Sequence, residues 1–497
     1  MRSALRRPAL RTILFLGAAA AVVIANVVVA WHSIVVAPLW EDEAYNLTVP
    51  LNLVRGLGYT SDGILSGGQL MPFDVRISTG PVVLLPVAPL IAAGIDPALA
   101  GRLVAYGYFV ALAAGAAVAG RRIGGRWAAL AAVAVLLAFD PSAPPSPIQG
   151  PSDLLGEIPA AALLLWAAIA VRRRPWLAGL LLGLAVQAKT ISLLAAPALV
   201  LAVLLLGSGP LRRRIRRVAV AAAAAIAPTA LFELVALVTM GMPAYALRVR
   251  SMGSFLITGG QAYQGTSPVE KILVLADSWF VPPPLMIALV VVLAGFTLWA
   301  ARNAWQNRRA FRVYARRAGL APSGTIASQL VVGAVGLTTF VTWWAFASHT
   351  PLWVRHPAPG VFAFTPLLVA GVVLAVRWCR AGESPRASRL VGAAVGTVLA
   401  LLISLQLSLH VASALSPTAQ TLTAQREVAA DVRDATDSPW IATPWGSGVS
   451  IGVLAGMHVG MTDGTQLTGV PTLAPAGNAP ACEGRAVALD EWMLCLP

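Results

Sequence analysis

Trp40-Glu41-Asp42-Glu43-Ala44-Tyr45-Asn46 contains three consecutive carboxylates and follows the first long apolar stretch of the chain, residues 13–30. Charge is costly near hydrocarbon, so acidic side chains held there face water, a partner or a reaction. Position alone allows two interpretations: solvated loop residues at the end of a span, or part of a functional site. The segments on either side of this stretch decide between them.

The composition is that of a membrane protein. Of the 497 residues, 58% are hydrophobic and only 11% are charged, and the mean hydropathy is +0.76. Soluble domains carry roughly 25% charged residues. Long Ala/Val/Leu segments recur throughout, which indicates a polytopic membrane protein embedded in a lipid bilayer.

The net charge of +15 invites comparison with nucleic-acid-binding proteins. However, the arginines occur in short runs between apolar segments, which is the pattern that orients membrane proteins. The sequence has no basic soluble domain and no basic stripe interleaved with aromatic residues. We therefore expect no nucleic-acid partner.

The apolar segments predict about eleven transmembrane helices. They are residues 13–30, 98–120, a span ending at 139, 154–171, two arms within 176–206, 218–240, a span ending near 301, 326–346, 360–376 and 390–409. The fold class is thus an all-α polytopic membrane protein.

The run 176–206 is too long for one span. As a single helix it would measure about 47 Å, against a hydrocarbon core of about 30 Å. Basic runs flank it on both sides, so both ends belong in the cytoplasm and the run folds as a hairpin. Lys189 then lies near the apex, just inside the outer leaflet, where a lysine needs a partner.

Basic residues also predict the orientation of the chain. Arg2, Arg6, Arg7 and Arg11 precede the first span and place the N-terminus in the cytoplasm. The six inside segments hold most of the 36 lysines and arginines but only one of the 21 acidic residues, Glu383. The C-terminus is then extracytoplasmic. The Ala, Arg and Gly richness is typical of a high-GC bacterium, so we predict a multi-pass protein of the bacterial inner membrane.

Outside the spans, two segments are predicted to fold. The first external loop, residues 31–97, contains prolines near its end that favour a short interfacial helix over residues 80–95. We divide the chain into a transmembrane domain, 1–410, and a small mixed α/β C-terminal segment, 411–497. In that segment we predict an amphipathic helix over 420–437, a strand over 440–443 and a helix over 446–455. Cys482 and Cys495 could pair there if the face is oxidising.

The motifs of the first external loop resemble a known family. After the acidic stretch come Leu53-Val54-Arg55-Gly56-Leu57-Gly58-Tyr59 and Thr60-Ser61-Asp62-Gly63, and the loop closes with Ile77-Ser78-Thr79-Gly80-Pro81. An acidic pair and a tyrosine after the first span, a Gly-Tyr step, and a Gly-Pro before an interfacial helix resemble the C-type membrane glycosyltransferases (GT-C fold). The most similar branch is that of the protein O-mannosyltransferases and lipid A aminoarabinose transferases. The resemblance covers roughly residues 40–206 and, more weakly, 352–366.

This resemblance implies a general base at Asp42, with Glu43 beside it and Tyr45 as a possible further site residue. Because Glu41 is an additional acid, it stays open which two of the three consecutive acids correspond to the family's acidic pair. Attack of a hydroxyl on an anomeric carbon needs a base, and a positioned carboxylate contributes about 10²–10⁴-fold. One base and a phosphate leaving group suffice for direct displacement with inversion.

The family also carries an acid in the next external loop. The candidates are Asp140, Asp153 and Glu157, and we favour Glu157 at the start of an apolar helix. The alternative for such acids is a helix N-terminal carboxylate stabilised by the macrodipole, worth about 0.3–1 kcal/mol. That alternative suits Asp153 better than Glu157.

A lipid-linked phosphate needs cations at the outer membrane face. Lys189 resembles the family's hairpin lysine, and Arg355 in Trp353-Val354-Arg355-His356-Pro357 resembles an Arg-aromatic step. The alternative for Lys189 is a snorkelling lysine. The alternative for Arg355 and His356 is an ordinary pair of loop residues. His356 is a possible additional site residue.

We predict no cofactor. No His/Cys cluster indicates a metal site, and a divalent ion would need Asp42, Glu43 and Glu157 to be brought together. The expected function is transfer of a sugar from a polyprenyl-phosphate donor to an acceptor glycan, lipid or protein at the extracytoplasmic face. The alternative is a lipid-linked sugar flippase or other multi-span transporter, which would spread polar residues through mid-membrane and show repeated halves.

Overall fold

The computed structural model describes residues 2–63, 69–142, 146–258, 265–347, 352–381, 386–418, 420–462, 469–478, 482 and 484–497. Most of this part of the chain is helical. In chain order the helices are α1 (Arg2–Trp31), α2 (Glu41–Val54), α3 (Pro81–Leu84), α4 (Val87–Ala92), α5 (Pro97–Gly124), α6 (Arg126–Ala134), α7 (Glu157–Ala170), α8 (Pro175–Ala188), α9 (Ala196–Leu206), α10 (Leu211–Met240), α11 (Met242–Thr258), α12 (Pro268–Asp277), α13 (Pro283–Gln306), α14 (Arg308–Arg317), α15 (Ser323–Phe346), α16 (Ala358–Cys379), α17 (Arg386–Leu415), α18 (Leu422–Ala435) and α19 (Ser447–Leu454).

Each predicted span coincides with a helix. Within the described residues, seven helices are long and apolar enough to cross a membrane: α1, α5, α10, α13, α15, α16 and α17. The other four predicted spans correspond to the shorter apolar helices α6, α7, α8 and α9. Helices α7 and α8 have 14 residues each, which is about 21 Å and less than a hydrocarbon core of about 30 Å. The helical membrane fold is confirmed, and the number of eleven spans stays a prediction.

The apolar run over residues 176–206 is broken at Lys189, as expected. Helix α8 ends at Ala188, and a 3₁₀ turn over Thr190–Ala195 precedes α9. Lys189 has an extended backbone, with φ −153° and ψ 116°. This conformation ends α8 and places the lysine between two apolar helices.

Helix α16 forms the centre of the bundle. It packs against α5, α6, α7, α13, α15 and α17, and most of its side chains are buried. Two glycines let it approach α15 closely, because the Phe340 ring lies against Gly360 and the Phe364 ring lies against Gly336. Small residues allow such close packing where lipid offers no hydrophobic driving force.

The first external loop contains three helices. We expected one interfacial helix over residues 80–95, and the structure divides it into α3 and α4, with Pro86 immediately before α4. Proline lacks the N–H that would continue the hydrogen-bond ladder from α3. Helix α2 packs against both of them and carries the acidic stretch in its first turn. Strands β1 (Thr60–Ser61) and β2 (Met71–Pro72) pair between α2 and α3.

The C-terminal segment folds as predicted, into helices α18 and α19 and a small mixed sheet. Its strands are β3 (Trp440–Thr443), β4 (His458–Met461), β5 (Thr472–Pro475), β6 (Arg485–Leu489) and β7 (Trp492–Leu496). Their order is β4-β3-β5-β7-β6, and β3 runs parallel to β4 and β5 whereas β7 is antiparallel to its neighbours. A disulfide joins Cys482 to Cys495, with the Cα atoms 5.5 Å apart. The division of the chain at residue 410 stays a prediction; α17 extends to Leu415.

The contact between α15 and α16 generates a stability prediction. A Cβ at Gly360 would lie 2.4 Å from the Phe340 ring, so Gly360→Ala forces the ring or the helix to move. Overpacking of this kind costs about 1–3 kcal/mol. We expect a lower thermal unfolding midpoint in detergent. Gly295→Ala is the matched control, because a Cβ there meets nothing within 4 Å. An equal midpoint for both variants would contradict this close packing.

Candidate active site

The three acidic residues form the first turn of α2, which begins at Glu41. The N–H of Trp40 donates to the Glu43 carboxylate at 3.3 Å, and negative charge is favourable at a helix N-terminus. Successive side chains on a helix point about 100° apart. Asp42 and Glu43 therefore face different surroundings.

Glu43 faces the protein interior. Its side chain is 3% exposed and forms an ion pair with Arg102 of α5 at 3.3 Å. Its other oxygen accepts the N–H of Leu154 at 3.0 Å. Arg102 also donates to the backbone carbonyls of Ala37 (2.9 Å) and Pro38 (2.8 Å). Glu43 thus joins the acidic turn to α5 and to the loop before α7.

Asp42 faces Arg355. The two side chains form an ion pair and remain 24% and 18% exposed, respectively. The guanidinium also lies 5.3 Å from the ring centroid of Trp40 and 4.4 Å from that of Trp353. Stacking between two tryptophans restricts the orientation of Arg355. A carboxylate and a cation are therefore held side by side with access to solvent.

Glu157 and Lys189 form a second ion pair next to the first. The Lys189 ammonium lies 2.9 Å from a Glu157 oxygen, and the side chains are 12% and 1% exposed. Within the described chain, neither Glu157 oxygen has a hydrogen-bond partner. Lys189 instead donates to the Ser78 hydroxyl at 2.9 Å. The negative charge of Glu157 also acts on Arg355, which places the two pairs in one electrostatic cluster.

His356 lies among these cations. Burial, followed by the positive charges of Arg355, Lys189 and Lys271, lowers its pKa to about 3. Its imidazole is therefore neutral at pH 7. Lys271 of α12 is buried and donates to the backbone carbonyls of Trp344 (3.0 Å) and Ala347 (2.7 Å).

Asp153 closes its own loop instead of joining the two pairs. Its carboxylate accepts the backbone N–H of Gln149 at 2.7 Å. Burial, followed by the nearby charge of Glu43, raises the pKa of Asp153 well above its usual value. Burial and the charge of Glu43 thus both favour the protonated form of the Asp153 carboxyl group.

Tyr45 lies on α2 but contacts a different set of residues. It is buried, and its hydroxyl donates to Asp74 at 2.5 Å. Asp74 also accepts from the Ser61 hydroxyl at 2.8 Å and from Arg76 at 3.0 Å. Tyr45 therefore belongs to the network that holds the first external loop together.

Two glycines, Gly80 in the first external loop and Gly156 immediately before α7, allow these segments to pack closely against the end of α8. A Cβ at Gly80 would lie 1.8 Å from the Gln187 carbonyl oxygen, and one at Gly156 would lie 2.2 Å from that of Ala188. The Gly80 N–H donates to the Ala188 carbonyl at 3.1 Å. These close approaches place Lys189 beside Ser78 and Glu157.

The C-terminal segment also contacts the acidic turn, through a residue that the sequence did not indicate. The buried Gln425 side chain of α18 accepts the Leu39 N–H at 2.6 Å and donates to the Leu39 carbonyl at 3.0 Å. Helix α19 packs along α2. No motif marks Gln425, because its role depends on a contact across 386 residues. Of the two tryptophans around Arg355, only Trp353 was visible in the sequence as an aromatic neighbour; the contact with Trp40 joins distant parts of the chain.

The three acids that could have formed a metal site have separate partners. Asp42 pairs with Arg355, Glu43 with Arg102, and Glu157 with Lys189. In the part of the chain that the structure describes, no group of three or more His, Cys, Asp or Glu residues lies close enough to hold an ion.

No protein-family model matches this sequence, and no curated protein matches it significantly. Solved structures do resemble it. ArnT from Cupriavidus metallidurans bound to undecaprenyl phosphate aligns with a TM-score of 0.58 at 11% identity, over 98% of this chain and 98% of that chain. Its apo state aligns with the same TM-score.

A second protein aligns over less of its length. The Archaeoglobus fulgidus oligosaccharyltransferase tethered with an acceptor peptide has a TM-score of 0.51 at 11% identity. The alignment covers 89% of this chain and 63% of that chain. At these identities the likeness concerns the fold. The chain has the GT-C fold of the C-type membrane glycosyltransferases, which the motifs of its first external loop predicted.

Proposed function

We propose that the chain is a membrane glycosyltransferase that moves a sugar from a polyprenyl-phosphate donor to an acceptor glycan, lipid or protein. The observation that carries this proposal is the solvent-accessible Asp42–Arg355 pair beside Glu157–Lys189. It supplies a carboxylate for the acceptor and two cations for a phosphate within one cluster. The ArnT structure of the same fold was solved bound to undecaprenyl phosphate, which supports a donor of this class.

Asp42 is the proposed general base. The acceptor oxygen or nitrogen forms a bond to the anomeric carbon as the bond from that carbon to the phosphate oxygen breaks. The acceptor proton passes to the Asp42 carboxylate, and the electron pair leaves with the polyprenyl phosphate. A single displacement of this kind inverts the configuration at the sugar carbon.

Arg355 and Lys189 are the proposed phosphate ligands. Arg355 has five N–H donors, so it can bind a phosphate while it still orients Asp42. Charge-assisted hydrogen bonds of this type stabilise the charge that develops on the leaving phosphate. Glu157 holds Lys189 in place, and the neutral His356 adds no positive charge that would bind Asp42 in competition with Arg355.

Glu43 is proposed to act as a positioning residue, because its carboxylate is buried between Arg102 and the Leu154 N–H. Tyr45 and Asp153 are proposed to stabilise the loops around the site. The motifs placed Glu43 beside the base as a catalytic-site residue, and we propose that it acts through the orientation of Asp42. The reaction is proposed to need no cofactor.

The transporter alternative has less support. The residue that would favour it is Glu233, an acid within the span α10. Glu233 forms an ion pair with Arg248 of α11 at 2.6 Å and accepts from the Tyr245 hydroxyl at 3.0 Å. Both oxygens of Glu233 therefore have hydrogen-bond partners on α11. The other acids that form ion pairs lie at the same end of the helices as α2. We propose the orientation given by the arginine pattern, with the site on the extracytoplasmic face of a bacterial inner membrane.

Asp42→Asn tests the base. The variant keeps the size of the side chain and removes its basicity, so transfer from a labelled polyprenyl-phosphate sugar should fall by about 10²–10⁴-fold. The control is Asp437→Asn, which changes an exposed acid of the C-terminal segment. Membrane insertion and gel-filtration behaviour should be unchanged. Undiminished transfer by Asp42→Asn would remove this residue from the mechanism.

Lys189→Ala tests the phosphate ligand. A hydrogen bond to a charged group contributes about 1.5–3 kcal/mol, so the apparent donor KM should rise by roughly 10- to 150-fold, with little change in the acceptor KM. Arg250→Ala removes an exposed cation of α11 and serves as the control. If both variants change the donor KM equally, general charge and not Lys189 binds the donor.

Gln425→Ala tests whether the C-terminal segment positions the acidic turn. It removes two hydrogen bonds to Leu39, each worth about 1 kcal/mol, so kcat should fall by about tenfold while the donor KM is nearly unchanged. Gln420→Ala, at an exposed position, is the control. A change in thermal stability without any change in kcat would show that Gln425 only attaches the segment.

A further inference from the structure

A cavity lies at the opposite end of the helix bundle from the candidate site. It has a volume of about 380 Å³ and lies between the end of α5, the turn after α7 and the linker from α14 to α15. Helix α7 begins at Glu157 of the candidate site and runs for 14 residues, about 21 Å, before it reaches this cavity. The two sites are therefore separate.

Four arginines from two helix ends line the cavity: Arg121, Arg122, Arg172 and Arg173. Among the described residues that line the cavity, none is acidic. Across the described ranges, none of the four forms an ion pair. The one acid that the sequence places on this side, Glu383, lies outside the described residues.

The linker between α14 and α15 is fixed against these helix ends. The Ala321 N–H donates to the Arg122 carbonyl at 2.8 Å, and Arg172 donates to the Thr325 hydroxyl at 3.4 Å. A Cβ at Gly324 would lie 2.2 Å from the Arg172 guanidinium, so the glycine makes room for that group. The cavity thus has a defined polar wall.

The orientation rule for membrane proteins explains why arginines are abundant at this end. It does not explain why four of them line one cavity, where like charges repel each other. Arg172 is half-buried there, and Arg121, Arg122 and Arg173 are exposed. An anion between them offsets that repulsion, and guanidinium groups bind phosphate through paired hydrogen bonds. The apolar residues Val118, Ile169 and Leu320 line the same cavity, as suits a ligand with a charged head next to an acyl chain.

We propose that this cavity binds the phosphate of an anionic phospholipid headgroup, with Arg122 and Arg172 as its principal ligands. Basic pockets between transmembrane helices on the cytoplasmic side are suited to such headgroups. The chemistry that the cavity recognises is a phosphate group, which free inorganic phosphate also carries. The location at the ends of the helices favours the lipid over the soluble ion.

The full-length protein in detergent tests the proposal by native mass spectrometry with phosphatidylglycerol and phosphatidylcholine. Wild type should retain phosphatidylglycerol selectively, and Arg122→Ala/Arg172→Ala should weaken that binding by at least about tenfold. The control is Arg212→Ala/Arg216→Ala, which removes the same charge from exposed positions at the start of α10 and should bind as wild type does.

Competition with inorganic phosphate separates the two phosphate sources. Little displacement of phosphatidylglycerol supports a lipid site, whereas full displacement would show that the cavity binds the free ion and would overturn the lipid assignment. Equal losses in the two double variants, or equal binding of both lipids, would overturn the cavity as a specific site. If the double variant fails to fold, the single variants Arg122→Ala and Arg172→Ala give the same comparison, each with a loss of several-fold expected.

Discussion

The buried ion pair between Arg102 and Glu43 determines the geometry of the candidate site. Arg102 donates through both terminal nitrogens to carbonyls of the segment before α2, and the second oxygen of Glu43 accepts from the Leu154 N–H. Loss of one partner in such a pair leaves an uncompensated buried charge, which costs about 3–5 kcal/mol. Because Glu43 is held inward, the preceding residue, Asp42, is turned by about 100° towards Arg355. The buried carboxylate of Glu43 thus orients the neighbouring Asp42.

In the candidate site, each of two carboxylates lies next to a positively charged side chain. Asp42 and Glu157 each pair with a cation, and the charge of Glu157 also acts on Arg355. Ion pairs at partly exposed positions are weak individually, so a phosphate that shares Arg355 does not have to break a strong interaction. The tryptophans on both sides of the guanidinium limit its movement. Under the proposed function, these features bind a phosphate without displacing the base.

The C-terminal segment forms part of the support for the acidic turn. Gln425 binds the backbone of Leu39, α19 packs along α2, and Asp62 accepts from His458 at 2.8 Å and from the Val459 N–H at 3.1 Å. These contacts lie on both sides of the motif that carries Asp42. The C-terminal segment and the helix bundle therefore both contact α2 and the residues next to it.

Local patterns of apolarity, charge and turn residues were enough to predict the helical membrane fold, the break at Lys189 and the helices and first strand of the C-terminal segment. The resemblance of the chain's motifs to the C-type membrane glycosyltransferases also predicted Asp42, Glu157, Lys189 and Arg355 as site residues, and the structure places the four in two neighbouring ion pairs. Only the tertiary structure decided which carboxylate faces which cation. The different orientations of Asp42 and Glu43 depend on Arg102, and the contact of Gln425 with Leu39 joins residues far apart in the chain. Such pairings depend on how the helices pack in three dimensions, and no local pattern of residues records them.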